Sequence, residues 1–91
     1  METVLTLFKI DLGITHTLRD DFFMPLLQAA QKEIEGKGIT LILEDVEDQI
    51  LLSDYAAWKY RKRQEDVGMS QNLTNRIRNR IVKARSGYVE T

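Results

Sequence analysis

The stretch Ile50-Leu-Leu-Ser-Asp-Tyr-Ala-Ala-Trp-Lys-Tyr60 decides the fold of this chain. On a helix, its eight apolar side chains would lie on nearly every side of the axis. We predict a helix from about Glu44 to Asp66 around this stretch. A helix that is apolar on most sides is a central one, so other helices, neighbouring subunits or both must cover it.

Two shorter helices are predicted before it. Residues 3–12 have the apolar spacing of a short amphipathic helix, which would end at Gly13 in the left-handed conformation. Residues 20–37 repeat apolar side chains at helical spacing. Pro25 is costly deep in a helix, so this helix either begins close to Pro25 or begins near Asp20 and bends.

The remaining segments complete an all-α prediction. Residues 39–43 read as a short, partly buried extended connection, because a single strand would have no partner. A last, arginine-rich helix would be capped by Ser70 or Asn72. The chain is therefore predicted to be a small bundle of about four helices, with one domain over residues 1–85 and a flexible tail over 86–91.

The composition argues against an enzyme. There is no cysteine, which excludes a disulfide scaffold, a thiolate metal site and a cysteine nucleophile. The single His16 has no evident partner group, and we expect it in a surface turn. Asp20 and Asp21 resemble paired carboxylates, but helix capping by Thr17, Asp20 or Asp21 explains them better. We predict no catalytic, cofactor-binding or metal-binding residues.

No segment predicts membrane insertion. The longest apolar run, near Ile50–Trp58, is interrupted by Ser53 and Asp54 and is too short to span a bilayer. The first residues lack the basic segment of a secretory signal peptide. We therefore expect a soluble chain that is cytosolic where it is made.

Charge is divided unevenly along the sequence. Residues 1–55 hold four cations and eleven acids, whereas residues 56–91 hold nine cations and three acids. This asymmetry is typical of a nucleic-acid partner or of head-to-tail assembly between copies. A local explanation competes for eight of these residues, because acids at the start of the third helix and cations near its end complement the helix dipole. These eight are Glu44, Asp45, Glu47, Asp48, Lys59, Arg61, Lys62 and Arg63.

The last helix combines a thin apolar stripe with five cations. The stripe comprises Leu73, Ile77, Ile81 and Ala84. Arg76, Arg80 and Lys83 lie on one side of it, and Arg78 and Arg85 on the other. The cations could be solvated, could contact DNA phosphates, or could pair with acidic helices. Their position beside a packing stripe favours pairing, within or between subunits, because phosphate contact needs charge gathered on one exposed face.

Aromatic residues of the third helix allow two interpretations. Tyr55, Trp58 and Tyr60 could stack on bases, but in so apolar a helix they are better explained as core or as contacts between protomers. The segment Trp58–Arg63 mixes aromatics with cations and is the best local case for nucleic acid. Its alternative is a helix end whose long cations lie over aromatic surface.

Three segments, taken in order, resemble one family. They are Phe8-Lys-Ile-Asp-Leu-Gly-Ile14, the helix containing Leu26-Leu-Gln-Ala-Ala30 and Ile34, and Ala56-Ala-Trp-Lys-Tyr-Arg61-Lys-Arg63 followed by the arginine-rich last helix. Together they resemble the small head–tail connector proteins of long-tailed bacteriophages, also called head-completion or adaptor proteins. The match covers residues 4–85, with Pro25 and a short C-terminal tail as departures.

The resemblance implies a structural virion protein, made in the bacterial cytoplasm and located at the head–tail interface. Copies would form a ring, usually dodecameric, beneath the portal protein. The ring would extend the channel for genomic DNA and carry stopper or tail-completion proteins. The alternative is a small DNA-binding or DNA-packaging accessory protein that uses the basic ends of the third and fourth helices.

The predicted interface residues combine aromatic and charged side chains. Tyr55 and Trp58 would pack the core or the seam between subunits. Arg76, Arg80 and Lys83 would pair with acids such as Glu44, Glu47 or Asp48 on an adjacent helix or subunit, and Arg61 and Arg63 complete the set. Exposed pairs contribute only about 0–1 kcal/mol each, so only a buried or networked set would hold a ring.

Overall fold

The computed structural model describes residues 1–65 and 67–89, with the side chains of residues 1–63 and 67–84. Its helices are α1 (Glu2–Leu12), α2 (Asp20–Glu35), α3 (Val46–Glu65) and α4 (Gln71–Val89). Within these ranges there is no β-strand. The prediction of an all-α bundle of four helices is confirmed.

Helix α1 ends as its sequence predicts. Gly13 has φ +74° and ψ +25°, in the left-handed region that a side chain disfavours. Its N–H donates to the carbonyl of Ile10 at 3.1 Å, and the N–H of Ile14 donates to that of Lys9 at 2.8 Å. These two bonds form a Schellman ending, which turns Ile14 back against the core.

Helix α2 begins at Asp20 and contains Pro25 in its interior. The N-terminal cap residue is Arg19, whose carbonyl accepts from the N–H of Phe23 at 2.9 Å. No side chain caps this end, so the predicted capping by Thr17, Asp20 or Asp21 is wrong. The Asp20 carboxylate instead pairs with Lys9 of α1 at 2.9 Å.

The connection between α2 and α3 is extended, as expected. Gly38 has φ +96°, a backbone conformation that a residue with a Cβ rarely adopts. Beyond it, Ile39 and Leu41 are buried while Ile42 is exposed. The alternation fixes one side of this segment on the core without any strand partner in the described chain.

Helix α3 is central and packs against α1, α2 and α4. It begins at Val46 and not at Glu44, because the Asp45 carboxylate accepts the N–H of Glu47 at 2.9 Å and caps the helix. Leu52 and Ala56, in its middle, are fully buried. The prediction of a central third helix is thus confirmed.

Helix α4 is capped by Ser70, whose hydroxyl oxygen accepts the N–H of Leu73 at 3.1 Å. Its backbone remains helical through Val89, so the predicted end at Arg85 is wrong. Gly87 lowers helix stability by only about 1 kcal/mol relative to Ala, which is too little to end a helix already formed. Of the predicted tail, residues 90–91 lie outside the described residues, as does the side chain of Arg85.

Candidate functional site

Asp48 is a buried acid that joins three parts of the chain. It lies in the first turn of α3 with 2% of its surface exposed. Its Oδ2 accepts the backbone N–H of Ile42 at 2.7 Å, and both of its oxygens accept from the guanidinium of Arg80. That guanidinium also donates to the carbonyl of Thr40 at 3.5 Å. The carboxylate therefore connects α3, the extended connection and α4.

The Asp48–Arg80 pair is ionised at neutral pH. Burial alone would raise the pKa of Asp48, but hydrogen bonds from Arg80 and Ile42, with the positive charges of Arg80 and Lys83, outweigh burial and hold that pKa below its usual value. The hydrogen bond with Asp48 and the nearby carboxylates raise the pKa of Arg80. Two charges and their hydrogen bonds thus hold α4 at the start of α3.

Arg76 lies one turn before Arg80 on α4 and pairs with Asp54 of α3 at 2.6 Å. Each side chain of this pair is 36% exposed. Leu73 and Ile77, on the apolar stripe of α4, are buried. Helix α4 therefore docks on α3 through a thin stripe bordered by two arginine–aspartate pairs, both formed within one chain.

Within the chain, Arg76 pairs with an acid other than the three predicted as examples. The sequence pattern indicated acids such as Glu44, Glu47 or Asp48, on an adjacent helix or subunit, whereas the structure places Arg76 opposite Asp54 of α3. Helices α3 and α4 run antiparallel, so one turn back along α4 corresponds to a move forward along α3, from Asp48 towards Asp54. Among the described side chains, the pair between Arg80 and Asp48 joins two of the predicted partners.

Five of the predicted interface residues are exposed: Glu44, Glu47, Arg61, Arg63 and Lys83. Glu44, Glu47 and Lys83 form no ion pair with any side chain that the structure describes. Glu47 and Lys83 line a cleft of about 420 Å³ between α3 and α4, together with the half-exposed Ile50. Their role in contacts with other subunits stays a prediction.

Tyr55 and Trp58 take different positions. Tyr55 is buried, its hydroxyl donates to a carboxylate oxygen of Glu33 at 3.3 Å, and burial raises its pKa. Trp58 is half-buried, and its indole N–H donates to the carbonyl of Val67 at 3.1 Å. The ammonium of Lys62 lies 5.1 Å from the centre of the Trp58 ring. Tyr55 is a core residue, whereas Trp58 keeps a partly open face covered by a cation.

Arg61 and Arg63 turn towards the first two helices. Arg61 pairs with Asp11 at the end of α1 at 3.2 Å. The guanidinium of Arg63 lies 4.9 Å from the centre of the Phe22 ring on α2. The long side chains of these cations thus lie over their own chain at the end of α3. This arrangement is the one predicted as the alternative to nucleic-acid contact.

A cluster that the sequence reasoning missed lies where the start of α2 meets the end of α3. Phe22 is 36% exposed, with the guanidiniums of Arg19 and Arg63 at 5.6 and 4.9 Å from its ring centre. Leu18, beside it, is 86% exposed. The spacing of Arg19 and Phe22 by three residues was an available signal. We call Leu18, Arg19, Phe22 and Arg63 the basic patch.

Groups suited to catalysis or metal binding are scattered in the described part of the chain. No three His, Cys, Asp or Glu side chains gather there in a way that could hold a metal ion. His16 lies in an exposed loop, where its Nδ1 accepts the N–H of Leu18 at 3.3 Å. No helix within the described residues has both the length and the apolar character to cross a membrane. The described surface therefore offers charged and apolar contacts.

Comparisons with protein-family models, curated proteins and solved structures find no significant match to this chain.

Proposed function

We propose that this chain is a structural subunit that forms a ring beneath the portal of a long-tailed bacteriophage. The ring would connect the DNA-filled head to stopper or tail-completion proteins and extend the DNA channel. The subunit would have no catalytic role, and it would reside in the virion after synthesis in the bacterial cytoplasm.

The observation that carries this proposal is the mixed surface where α3, α4 and the extended connection meet. Two adjacent clefts there share Glu47, Arg80 and Lys83. Ile42 and Ile50, which line them, are 56% and 41% exposed. Large apolar side chains ringed by charge are typical of surfaces that bind other proteins.

The resemblance described above supports the same function. Its third segment, Ala56–Arg63, lies within the central helix that the other three helices cover. Its first segment contains the left-handed Gly13 that ends α1. These segments therefore lie at positions that determine the helical packing.

A pull-down tests the proposal directly. Tagged protein would be mixed with nuclease-treated lysate of cells in which the source phage has been induced, and captured proteins identified by mass spectrometry. We expect portal and stopper or tail proteins in the captured fraction. Substituting Ile42→Asp and Ile50→Asp should remove them, while Gln28→Asp, at an exposed position of α2, should not. Capture of no virion protein by the unmodified chain would contradict the proposal.

The DNA-binding alternative requires unpaired cations on one face. Arg61, Arg76 and Arg80 each pair with a carboxylate of the same chain, which leaves fewer charges for phosphate contact. The alternative predicts DNA affinity that falls steeply with salt, with a log–log slope of several units. A ring through which the genome slides predicts weak binding to free DNA. Filter binding at several salt concentrations separates the two functions.

A further inference from the structure

We infer that copies of this chain dock head to tail through the two ends of α3. The basic patch of one copy would bind the acidic patch of the next, which we define as Glu44, Asp45, Val46 and Glu47. The inference rests on the proposed function and names the contact that would join neighbouring subunits of the ring.

The two patches lie far apart on the molecule. The acidic patch surrounds the first residue of α3, and Arg63 lies near its last turn. Seventeen residues of helix separate Val46 from Arg63, which at 1.5 Å per residue is about 26 Å. A contact between two different patches is heterologous, so a docked pair still has one open patch of each kind for further copies. Such a contact closes into a ring when its rotation allows.

Charge complementarity selects a second copy as the occupant. Among the described side chains, no carboxylate lies within 4 Å of the Arg19 or Arg63 guanidinium, and no cation lies that close to Glu44 or Glu47. Arg80, by contrast, is already bound to a carboxylate of its own chain. Unpaired charges of opposite sign thus lie at the two ends of α3, whereas other exposed charges of the described chain, such as Lys32, Lys37 and Arg78, lie outside both patches.

Each patch also has an exposed apolar side chain among its charges. Leu18 is 86% exposed in the basic patch, and Val46 is 63% exposed in the acidic patch. The guanidiniums of Arg19 and Arg63 both contact the Phe22 ring, which limits the side-chain freedom that a partner would have to remove. An apolar centre with a charged rim is the usual anatomy of a specific protein contact.

Charge reversal at either patch provides the test. One variant, Arg19→Glu with Arg63→Glu, has two acidic patches. The other, Glu44→Lys with Glu47→Lys, has two basic patches. We expect the unmodified chain to associate in low salt at concentrations up to about 1 mM, the range in which weak contacts are populated. Each variant alone should associate at least tenfold more weakly. A 1:1 mixture should recover association, with the two variants alternating.

Sedimentation velocity gives the association, and native mass spectrometry gives the composition of the mixture. Arg78→Glu, which changes an exposed cation outside both patches, is the matched control and should leave association unchanged. Circular dichroism checks that each variant remains helical. If a reversed variant unfolds, Arg63→Gln and Glu47→Gln replace it, and each should weaken association several-fold.

Nuclear magnetic resonance locates the contact. In the ¹⁵N-labelled chain, amide signals of residues 18–22 and 44–47 should shift together as the concentration rises. Absence of these shifts at 1 mM, or a mixture no more associated than its components, would overturn the inference. Shifts of residues 18–22 with a single-stranded oligonucleotide, but not with protein concentration, would overturn it in favour of a nucleic-acid face. If the pull-down recovers portal protein while the mixture stays monomeric, only the docking contact fails.

Discussion

The two sides of α3 are held by different forces. On the side of α1 and α2, Phe8, Phe23 and Leu27 are fully buried, and the rings of Phe8 and Phe23 meet edge to face at 5.1 Å. On the side of α4, the buried residues that this helix contributes in the described chain are Leu73 and Ile77, with two arginine–aspartate pairs along one side of the stripe. The first side also has two ion pairs, Lys59–Glu33 and Arg61–Asp11, but its core is large and apolar, whereas the second side has little apolar burial and depends more on charge.

This difference predicts that the two sides respond to different changes. Apolar burial is insensitive to pH and to moderate salt, whereas an ion pair responds to both. Helix α4 should therefore detach under conditions that leave the packing of α1, α2 and α3 intact. A local opening of this kind is common where few apolar contacts hold an element.

The largest loss of stability is expected from a substitution in the apolar core that α3 forms with α1 and α2. Phe23→Ala should lower the free energy of unfolding by about 4 kcal/mol, because it removes a fully buried ring and leaves a cavity. A domain of this size has a total stability of about 5 kcal/mol, so the variant would retain only about 1 kcal/mol. Urea denaturation followed by circular dichroism measures the change. Phe22→Ala, at a partly exposed ring, should cost only about 1 kcal/mol.

On the α4 side of α3, the largest loss of stability is expected from substitution of the buried Asp48. Asp48→Ala leaves the Arg80 guanidinium without its carboxylate and the Ile42 N–H without an acceptor, and should cost about 3 kcal/mol. Hydrogen exchange should accelerate over residues 73–84 while the amides of α2 remain protected. Glu47→Ala, one residue away and exposed, should change stability by less than about 0.5 kcal/mol. An equal loss of hydrogen-exchange protection in α2 would show that α4 does not detach independently of the other helices.

Acid should weaken the α4 side selectively. Because the pKa of Asp48 is lower in the folded chain than in the unfolded one, its stabilisation is complete well above pH 4 and is lost as pH falls below about 4. Chemical denaturation across this range should show a steeper fall for the unmodified chain than for Asp48→Asn. Parallel profiles would mean that Asp48 is not the group that titrates.

The smallest loss of stability is expected at the more exposed ion pair, Arg76–Asp54. Asp54→Asn should cost no more than about 1 kcal/mol, because both partners are partly exposed and screened by solvent. Raising the salt concentration should reduce the difference between Asp54→Asn and the unmodified chain. A loss of stability as large as that of Asp48→Ala would show that solvent exposure does not determine how much each ion pair contributes to stability.

Patterns local to one helix were predictable from the sequence. The end of α1 was predictable from Gly13, because this glycine follows a run of apolar residues at helical spacing. The cap of α4 was predictable from Ser70, because serine is a capping residue and lies just before the apolar stripe of that helix. The central place of α3 follows from apolar side chains on all its sides. Each of these features depends on positions within a few residues of one another.

Relations between helices were not predictable in the same way. Helical periodicity gives the face on which Arg76 lies, but not the axial shift that brings it to Asp54. The approach of Arg63 to Phe22 joins residues 41 positions apart, through packing that no local pattern encodes. The predicted interface residues have no test within a single chain. The sequence predicted that arginines of α4 pair with acids, but it did not predict which acid each arginine pairs with.

Asp48 also has a consequence for the order of folding. Its bond to Ile42 spans six residues, whereas its bond to Arg80 spans 32. Closing the shorter loop costs less chain entropy, so the carboxylate and the connection are organised first. Helix α4 then arrives at an acceptor whose orientation is already set. We therefore expect α4 to dock after this part of the chain is organised, so that substitutions at Arg80 accelerate unfolding and leave the rate of folding nearly unchanged.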